Sequence, residues 1–371
     1  MGPDLVAALC SLLLMSRAAQ AAATATPPAV PHAPPVLFGA TLEGYYGWNT
    51  NRPPDGNNAF RAYDVKTDSF AIQQAAVVID APPSLADGRR YGLRVDLQFG
   101  EAAGTLQCNP ANEPRPSLYC NLWQAYGTYV LPVGRGLTMD FGKFASPLGL
   151  ETNYAKDDDH FTRALLYDFL PFYHSGARFA YPVTDHVTVS YMVTNGAQQT
   201  EDFNSTVANH GMVVAKLPRQ LQLTASAYES PEPSGLVHIL DGQLAWTPTS
   251  MPVSLGLDAN HASSKPSTGS TGVANGVGLY GRVARGAWAG AVRYEHLEDP
   301  GGLYEAIATT LGEVTGTAEW RAPEGFLARL ELRRDWSTVP VFPAAGISRR
   351  GSQTTATIGL VWWIGTKKGT W

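Results

Sequence analysis

From Val36 onward one pattern keeps returning along the chain: apolar and polar residues alternate for about ten positions, then break. Tyr91, Leu93, Val95, Leu97 and Phe99 alternate with Gly92, Arg94, Asp96, Gln98 and Gly100. Val187, Val189, Tyr191 and Val193 alternate with His186, Thr188, Ser190 and Thr194. Val253, Leu255, Leu257 and Ala259 do the same against Ser254, Gly256, Asp258 and Asn260, and Phe326, Ala328, Leu330 and Leu332 against Arg329, Glu331, Arg333 and Asp335. Period two puts the two sets on opposite faces of a β-strand. Runs of roughly 9–12 residues suit a tilted transmembrane strand, whereas soluble strands are nearer 5–6.

Sixteen such runs are predicted, at 36–47, 68–80, 90–100, 121–132, 136–144, 174–182, 186–195, 207–217, 219–228, 237–247, 252–261, 274–284, 287–296, 308–321, 325–336 and 353–364. Their connections alternate in length. Those at 48–67, 101–120, 145–173, 196–206, 262–273, 297–307 and 337–352 are long, and 81–89 and 229–236 are intermediate. The remaining ones are tight turns. An even number of antiparallel strands with long loops at one end and short turns at the other predicts an all-β, up-and-down outer-membrane barrel. Closure is what lipid demands, because it offers a free sheet edge no hydrogen bonds. At about sixteen strands the interior is too wide for side chains to fill, which predicts an aqueous channel. Tyr45, Tyr46, Trp123, Tyr129, Tyr181, Trp288, Tyr294, Trp320, Trp362 and Trp363 fall near strand ends and are assigned to interfacial girdles.

Composition fits this picture. Charged residues make up 16% of 371 residues, against about 25% in soluble domains. The net charge of −5 provides no basic face for nucleic acid. Leu5 to Met15, followed by Ala19-Gln20-Ala21, reads as a secretory signal over 1–21, with a Pro/Ala-rich lead over 22–35 and the barrel over 36–371. The segment Met1-Gly2-Pro3-Asp4 lacks the usual basic residue, so either the signal is weak or translation starts upstream. Leu9 before Cys10 is too bulky for a lipoprotein signal. Cys108 and Cys120 lie close together in an exported chain and are expected to form a disulfide, worth roughly 3 kcal/mol on a loop-entropy argument.

The stretch 139–196 carries ordered motifs: Gly142-Lys143-Phe144, Pro147-Leu148-Gly149-Leu150-Glu151, Pro171-Phe172-Tyr173-His174-Ser175-Gly176, then Asn195-Gly196. Their succession resembles that of the β-barrel porin-2 (OmpL-like) outer-membrane porin family, over roughly residues 36–364. Gly44-Tyr45-Tyr46 near the start and Thr357-Ile358-Gly359-Leu360-Val361 near the end also fit. The resemblance implies a porin and supplies no catalytic residues. One departure is the tail, where residues 365–370 separate the last strand from Trp371.

Strand parity makes Arg94, Asp96, Arg178, Asp258, Arg282, Arg293, Glu295, Glu313, Glu319, Arg321, Arg329, Glu331 and Arg333 pore-lining candidates. The bland alternative for each is a charge that merely solvates a wet wall. Porin-type barrels often fold the loop after the fifth strand inward, which makes Glu151, Asp157, Asp158, Asp159 and Arg163 constriction candidates; a solvated outer loop is the competing assignment. Asp157-Asp158-Asp159-His160 lacks the spaced acids and glycine of a calcium loop. Eight histidines are scattered without metal-ligand spacing, and no nucleophile elbow occurs. The glycine-rich stretch 269–278 reads as a flexible outer loop. The expectation is therefore a cofactor-free, non-enzymatic channel for small hydrophilic solutes or ions, seated in outer-membrane lipid, with a homotrimer left open. A scaffold or adhesin with a closed lumen is the alternative, and a barrel hydrolase a third.

Overall fold

The computed structural model describes residues 35–232, 235–266, 271–304 and 307–371. The signal segment, Cys10 and the lead up to residue 34 lie outside the described residues.

Sixteen strands close into one barrel. They are β1 (Leu37–Asn49), β2 (Ser69–Ala81), β3 (Tyr91–Phe99), β4 (Leu122–Leu131), β5 (Leu137–Ala145), β6 (Tyr173–Pro182), β7 (Val187–Thr194) and β8 (Ala208–Leu217). The second half comprises β9 (Leu221–Glu232), β10 (Gly235–Trp246), β11 (Val253–Lys265), β12 (Gly272–Arg285), β13 (Trp288–Asp299), β14 (Thr309–Ala322), β15 (Phe326–Ser337) and β16 (Ser352–Gly365). Each pairs antiparallel with its neighbours, and β1 closes on β16 with Tyr45 opposite Gly359 and Tyr46 opposite Ile358. Every backbone edge is thereby used, as a lipid environment requires. Alternation holds on the wall: Leu330, Leu332 and Ile358 are exposed on the outside, while Arg329, Glu331, Arg333 and Thr357 are buried inside.

The long-loop connections are L1 (50–68), L2 (100–121), L3 (146–172), L4 (195–207), L5 (233–234), L6 (266–271), L7 (300–308) and L8 (338–351). L5 is much shorter than the expected 229–236, because β9 and β10 continue to Glu232 and Gly235. The glycine-rich stretch is likewise mostly strand, since β12 begins at Gly272. At the opposite end, β8 turns into β9 through Arg219 and Gln220, both left-handed at φ 62° and 59° without help from glycine. The disulfide joins Cys108 to Cys120 within L2.

Three girdle assignments need correction. Tyr45 and Trp123 are buried, the latter against Tyr173, and Trp363 packs into an interior cluster under the Arg321 guanidinium. Tyr45 shares the inward parity of Thr41 and Glu43, and Trp363 that of Thr357 and Val361, so nearness to a strand end alone does not place an aromatic in the girdle. Tyr129, Trp288, Tyr294, Trp320 and Trp362 do lie exposed on the outer surface.

Candidate functional site

L3 runs through the lumen, and the wall charges hold it there. An irregular segment has no ladder of its own, so its buried N–H and C=O groups need partners from elsewhere. The wall supplies them. The Arg329 guanidinium donates to the carbonyls of Ala155 at 2.7 Å and His160 at 2.6 Å, and also to that of Asp158. Arg293 donates to the Thr162 carbonyl at 2.9 Å and meets Glu151 at 2.6 Å and Glu313 at 2.8 Å. Arg333 donates to the Arg163 carbonyl while paired with Asp335 at 2.8 Å and Glu313 at 3.0 Å.

Carboxylates take the N–H groups. Glu331 accepts from Phe161 and Thr162 at 2.8 and 3.2 Å, and Asp258 accepts from Leu150 at 3.0 Å. Glu43, which parity analysis passed over, accepts from Ala155 at 3.1 Å. Glu295 accepts from Leu165 and Leu166 at 2.5 and 3.2 Å, so it caps the short helix Leu165–Phe169, whose own Ala164 has no side-chain cap to offer.

Apolar contacts complete the seat. Three inward-facing glycines leave pits that loop side chains occupy: a Cβ at Gly359 would lie 2.2 Å from the Phe161 ring, one at Gly276 2.3 Å from Leu166, and one at Gly256 2.6 Å from Leu150. Leu165 and Leu166 pack with Ala274, Leu297 and Leu311, whereas Leu148 and Leu170 pack with Ala208, Tyr228, Ile239 and Ala262. The core of the molecule is thus the lumen itself.

The candidate residues fall into two groups. Arg293, Arg329, Glu331 and Arg333 lie on the inner wall at 0%, 1%, 1% and 1% exposure, so they clamp L3 and do not face water. Glu295, Glu313, Glu319 and Asp258 are buried with them. Arg163 is folded into L3, donating to the carbonyls of Thr152, Asn153 and Phe161 and pairing with Asp158 at 3.2 Å. Glu151 bridges Arg293 and the Ala164 N–H, and Asp157 accepts from the Trp371 N–H at 2.9 Å. Burial, with the cations of Arg293, Arg329 and Arg333, holds His160 well below the ordinary imidazole range, so it stays neutral beside Thr317.

The second group keeps contact with solvent. Arg178 pairs with Asp140 at 2.7 Å with its side chain 24% exposed, and Arg94 pairs with Asp96 at 2.8 Å with 12% exposed. Arg282 reaches Glu319 at 2.8 Å and Asp159 at 3.6 Å, and Arg321 meets Glu319 at 3.2 Å. A cavity of about 230 Å³ lies below L3 toward the short turns, lined by Asp157, Asp158, Asp159, Thr247 and Ser254 among others. Another, of about 540 Å³, lies above L3 among the long loops. Missed partners such as Asp140 and Asp335 share the inward parity of their strands, so alternation could have found them. Glu43 shares the inward parity of Thr41 and Tyr45 on β1 and was equally within reach, whereas Arg61, in L1, needed the loop's path.

A closed sixteen-stranded barrel with its third long loop folded inside defines the class: an outer-membrane porin. By sequence the chain belongs to the family described as "Putative beta-barrel porin-2, OmpL-like", matched over residues 35–362. No curated protein matches it. Among solved structures it is similar to an anion-selective porin from Comamonas acidovorans, with TM-score 0.59 and 9% identity over 89% of this chain and 99% of that one. The outer-membrane channel DcaP of Acinetobacter baumannii gives TM-score 0.58 and 9% identity over 89% and 97%. OmpF of Salmonella typhi, in complex with daunomycin, gives 0.57 and 10% over 89% and 97%. The chain is an outer-membrane porin of a Gram-negative bacterium.

Proposed function

We propose that this porin passes small hydrophilic solutes or ions by diffusion, without catalysis, through a path that skirts L3. The observation that carries this is the division of the inner charges. Arg293 and Glu295 on β13 and Arg329, Glu331 and Arg333 on β15 are taken up by L3, whereas Arg94 on β3 and Arg178 on β6 keep 12% and 24% of their side chains open to water. Polar groups left solvated in a narrow lumen are what a water-filled path needs. On this reading Arg178 and Arg94 line the path, Asp159 faces it from L3, and Arg293, Arg329 and Arg333 fix the loop that narrows it. Export through the leader and assembly as a homotrimer in outer-membrane lipid belong to the same proposal.

Single-channel recording from refolded protein at two salt concentrations tests it. Steady openings whose conductance rises with salt are expected, and Arg178→Glu should shift the reversal potential toward cation preference. Correctly folded barrels that give no openings would overturn the diffusion reading and favour an outer-loop scaffold with a closed lumen.

A further inference from the structure

The cavity above L3 has a composition that a general diffusion path does not require. Five of the long loops and the upper ends of β10 and β11 converge on it. Phe60 comes from L1, Asn109 and Asn112 from L2, Phe169 from L3, Gln198 from L4 and Tyr304 from L7. Phe169 and Tyr304 stack at 4.8 Å and 17°, and Phe60 meets Phe169 edge-on at 6.2 Å, giving a continuous aromatic wall. Opposed to it are side-chain amides that use only one end within the described fold. The Asn109 oxygen accepts from Ala111, the Asn112 nitrogen donates to Thr105, and the Gln198 oxygen accepts from Phe172. The amino groups of Asn109 and Gln198 and the side-chain carbonyl of Asn112 are left over. Oδ1 of Asp168, at the floor, is buried without a hydrogen-bond partner among the described residues.

Two further features mark the place. Phe60 and Gln198 both hold left-handed backbone, at φ 55° and 56°. That conformation is unusual for a bulky side chain, and such strain gathers at functional sites. Among the described residues the cavity also presents no free cation: Arg61 lines it, but its guanidinium is spent on Asp64 at 3.2 Å and Asp335 at 2.7 Å. Burial and the neighbouring Asp64 push the Asp168 carboxyl up to about 7.

An aromatic wall facing mixed amide donors and acceptors, with every lining cation among the described residues already paired, matches a ring that is apolar on its faces and hydroxylated around its rim. We propose that this vestibule binds a neutral pyranose sugar or short neutral oligosaccharide. The sugar face lies on Phe169 and Tyr304, and its hydroxyls bond to Asn109, Asn112, Gln198 and Asp168. The volume of about 540 Å³ falls in the range of small-molecule sites, roughly 300–1,000 Å³. The inference rests on the porin reading for how the sugar would travel, but not for whether it binds.

Isothermal titration of the full-length protein in detergent micelles tests it, with glucose, N-acetylglucosamine, maltotriose and cellotriose as probes. Glucuronate and phenylalaninamide serve as charged and purely aromatic controls. At least one neutral sugar should bind, and both controls should not. Phe169→Ala and Gln198→Ala should each weaken binding about ten-fold or more, and Phe169→Tyr should retain it. Heat-modifiable gel migration establishes that each variant is folded. No binding of any of the four sugars, binding that ignores both alanine variants, or binding of phenylalaninamide in their place would each overturn the proposal. Conductance without sugar binding removes this inference alone, and sugar binding without conductance removes the diffusion reading alone.

Discussion

At the residue scale, the inner wall is built to receive particular atoms of L3. Gly359 exists as a pit for Phe161, which is wholly buried, and a methyl there would overlap the ring. Gly359→Ala should therefore expel Phe161 and cost roughly 1–3 kcal/mol, as overpacking does. The readout is limited proteolysis of intact protein, with faster cutting within 145–172 and an unchanged barrel by far-UV circular dichroism. Arg329 is a sharper case, because its loss takes one of three arginines from Glu319 and strands three buried L3 carbonyls together. Arg329→Met should lower stability by about 3–5 kcal/mol, the range for breaking a buried pair from one side. Chemical denaturation against wild type measures it, and a change below about 1 kcal/mol would mean the clamp is not needed. Alternation made the inward position of Arg293, Arg329 and Arg333 legible in sequence. Their partners were not, because Arg293 meets Glu151 across 142 residues and no local period encodes such a pairing.

At the element scale, the strands were legible and the loop was not. All sixteen were placed within four residues of their observed bounds, since wall alternation is imposed uniformly by lipid outside and polar groups inside. L3 has no period, and its path follows from where wall side chains offer hydrogen bonds. The same dependence makes its seat sensitive to pH where it meets L1. The Ala62 N–H donates to Asp168 at 3.3 Å, with Asp64, Arg61 and Arg333 as the charged neighbours. Burial raises Asp168 to about 7 and Asp64 to about 6, so the seated loops hold protons that released loops would give up near pH 4. Stability from these groups is full below that value and is lost as pH rises through 6 to 7. His160 acts in the opposite sense, favouring release only below its ordinary range near 6.5. Between pH 6.5 and 8 His160 no longer acts, and Asp158 of L3, which burial also holds above the usual carboxylate range, titrates in the same sense as Asp168. Hydrogen exchange in 50–68 and 145–172, corrected for intrinsic rate, should increase across that interval, and Asp168→Asn should flatten the rise. A wild-type profile that is already flat would contradict this account.

At the scale of the whole molecule, two structures are nested. The wall closes through its own ladder from β1 to β16 and needs nothing from the lumen to keep its edges paired. L3 pairs some of its buried polar groups internally through Arg163, Asp158 and Glu151 and takes the rest of its partners from the wall. Removing it should therefore leave a barrel. Replacing 147–170 with a short Gly/Ser bridge loses the apolar contacts of Leu148, Phe161, Leu165 and Leu166, and uncovers Arg293, Arg329 and Arg333 together with Glu295, Glu313 and Glu331. Those charges lie side by side on β13, β14 and β15, so they can pair across strands with water filling the space L3 leaves. The shortened protein should still show heat-modifiable migration. In planar bilayers its conductance should exceed that of the full chain, because the polar cross-section widens by the volume of the loop. If the shortened chain fails to form a barrel, the interior is a true core in the manner of a soluble protein, and the wall is its dependent. A folded, shortened barrel with unchanged conductance would instead place the narrowest point among L1, L2, L4 and L7.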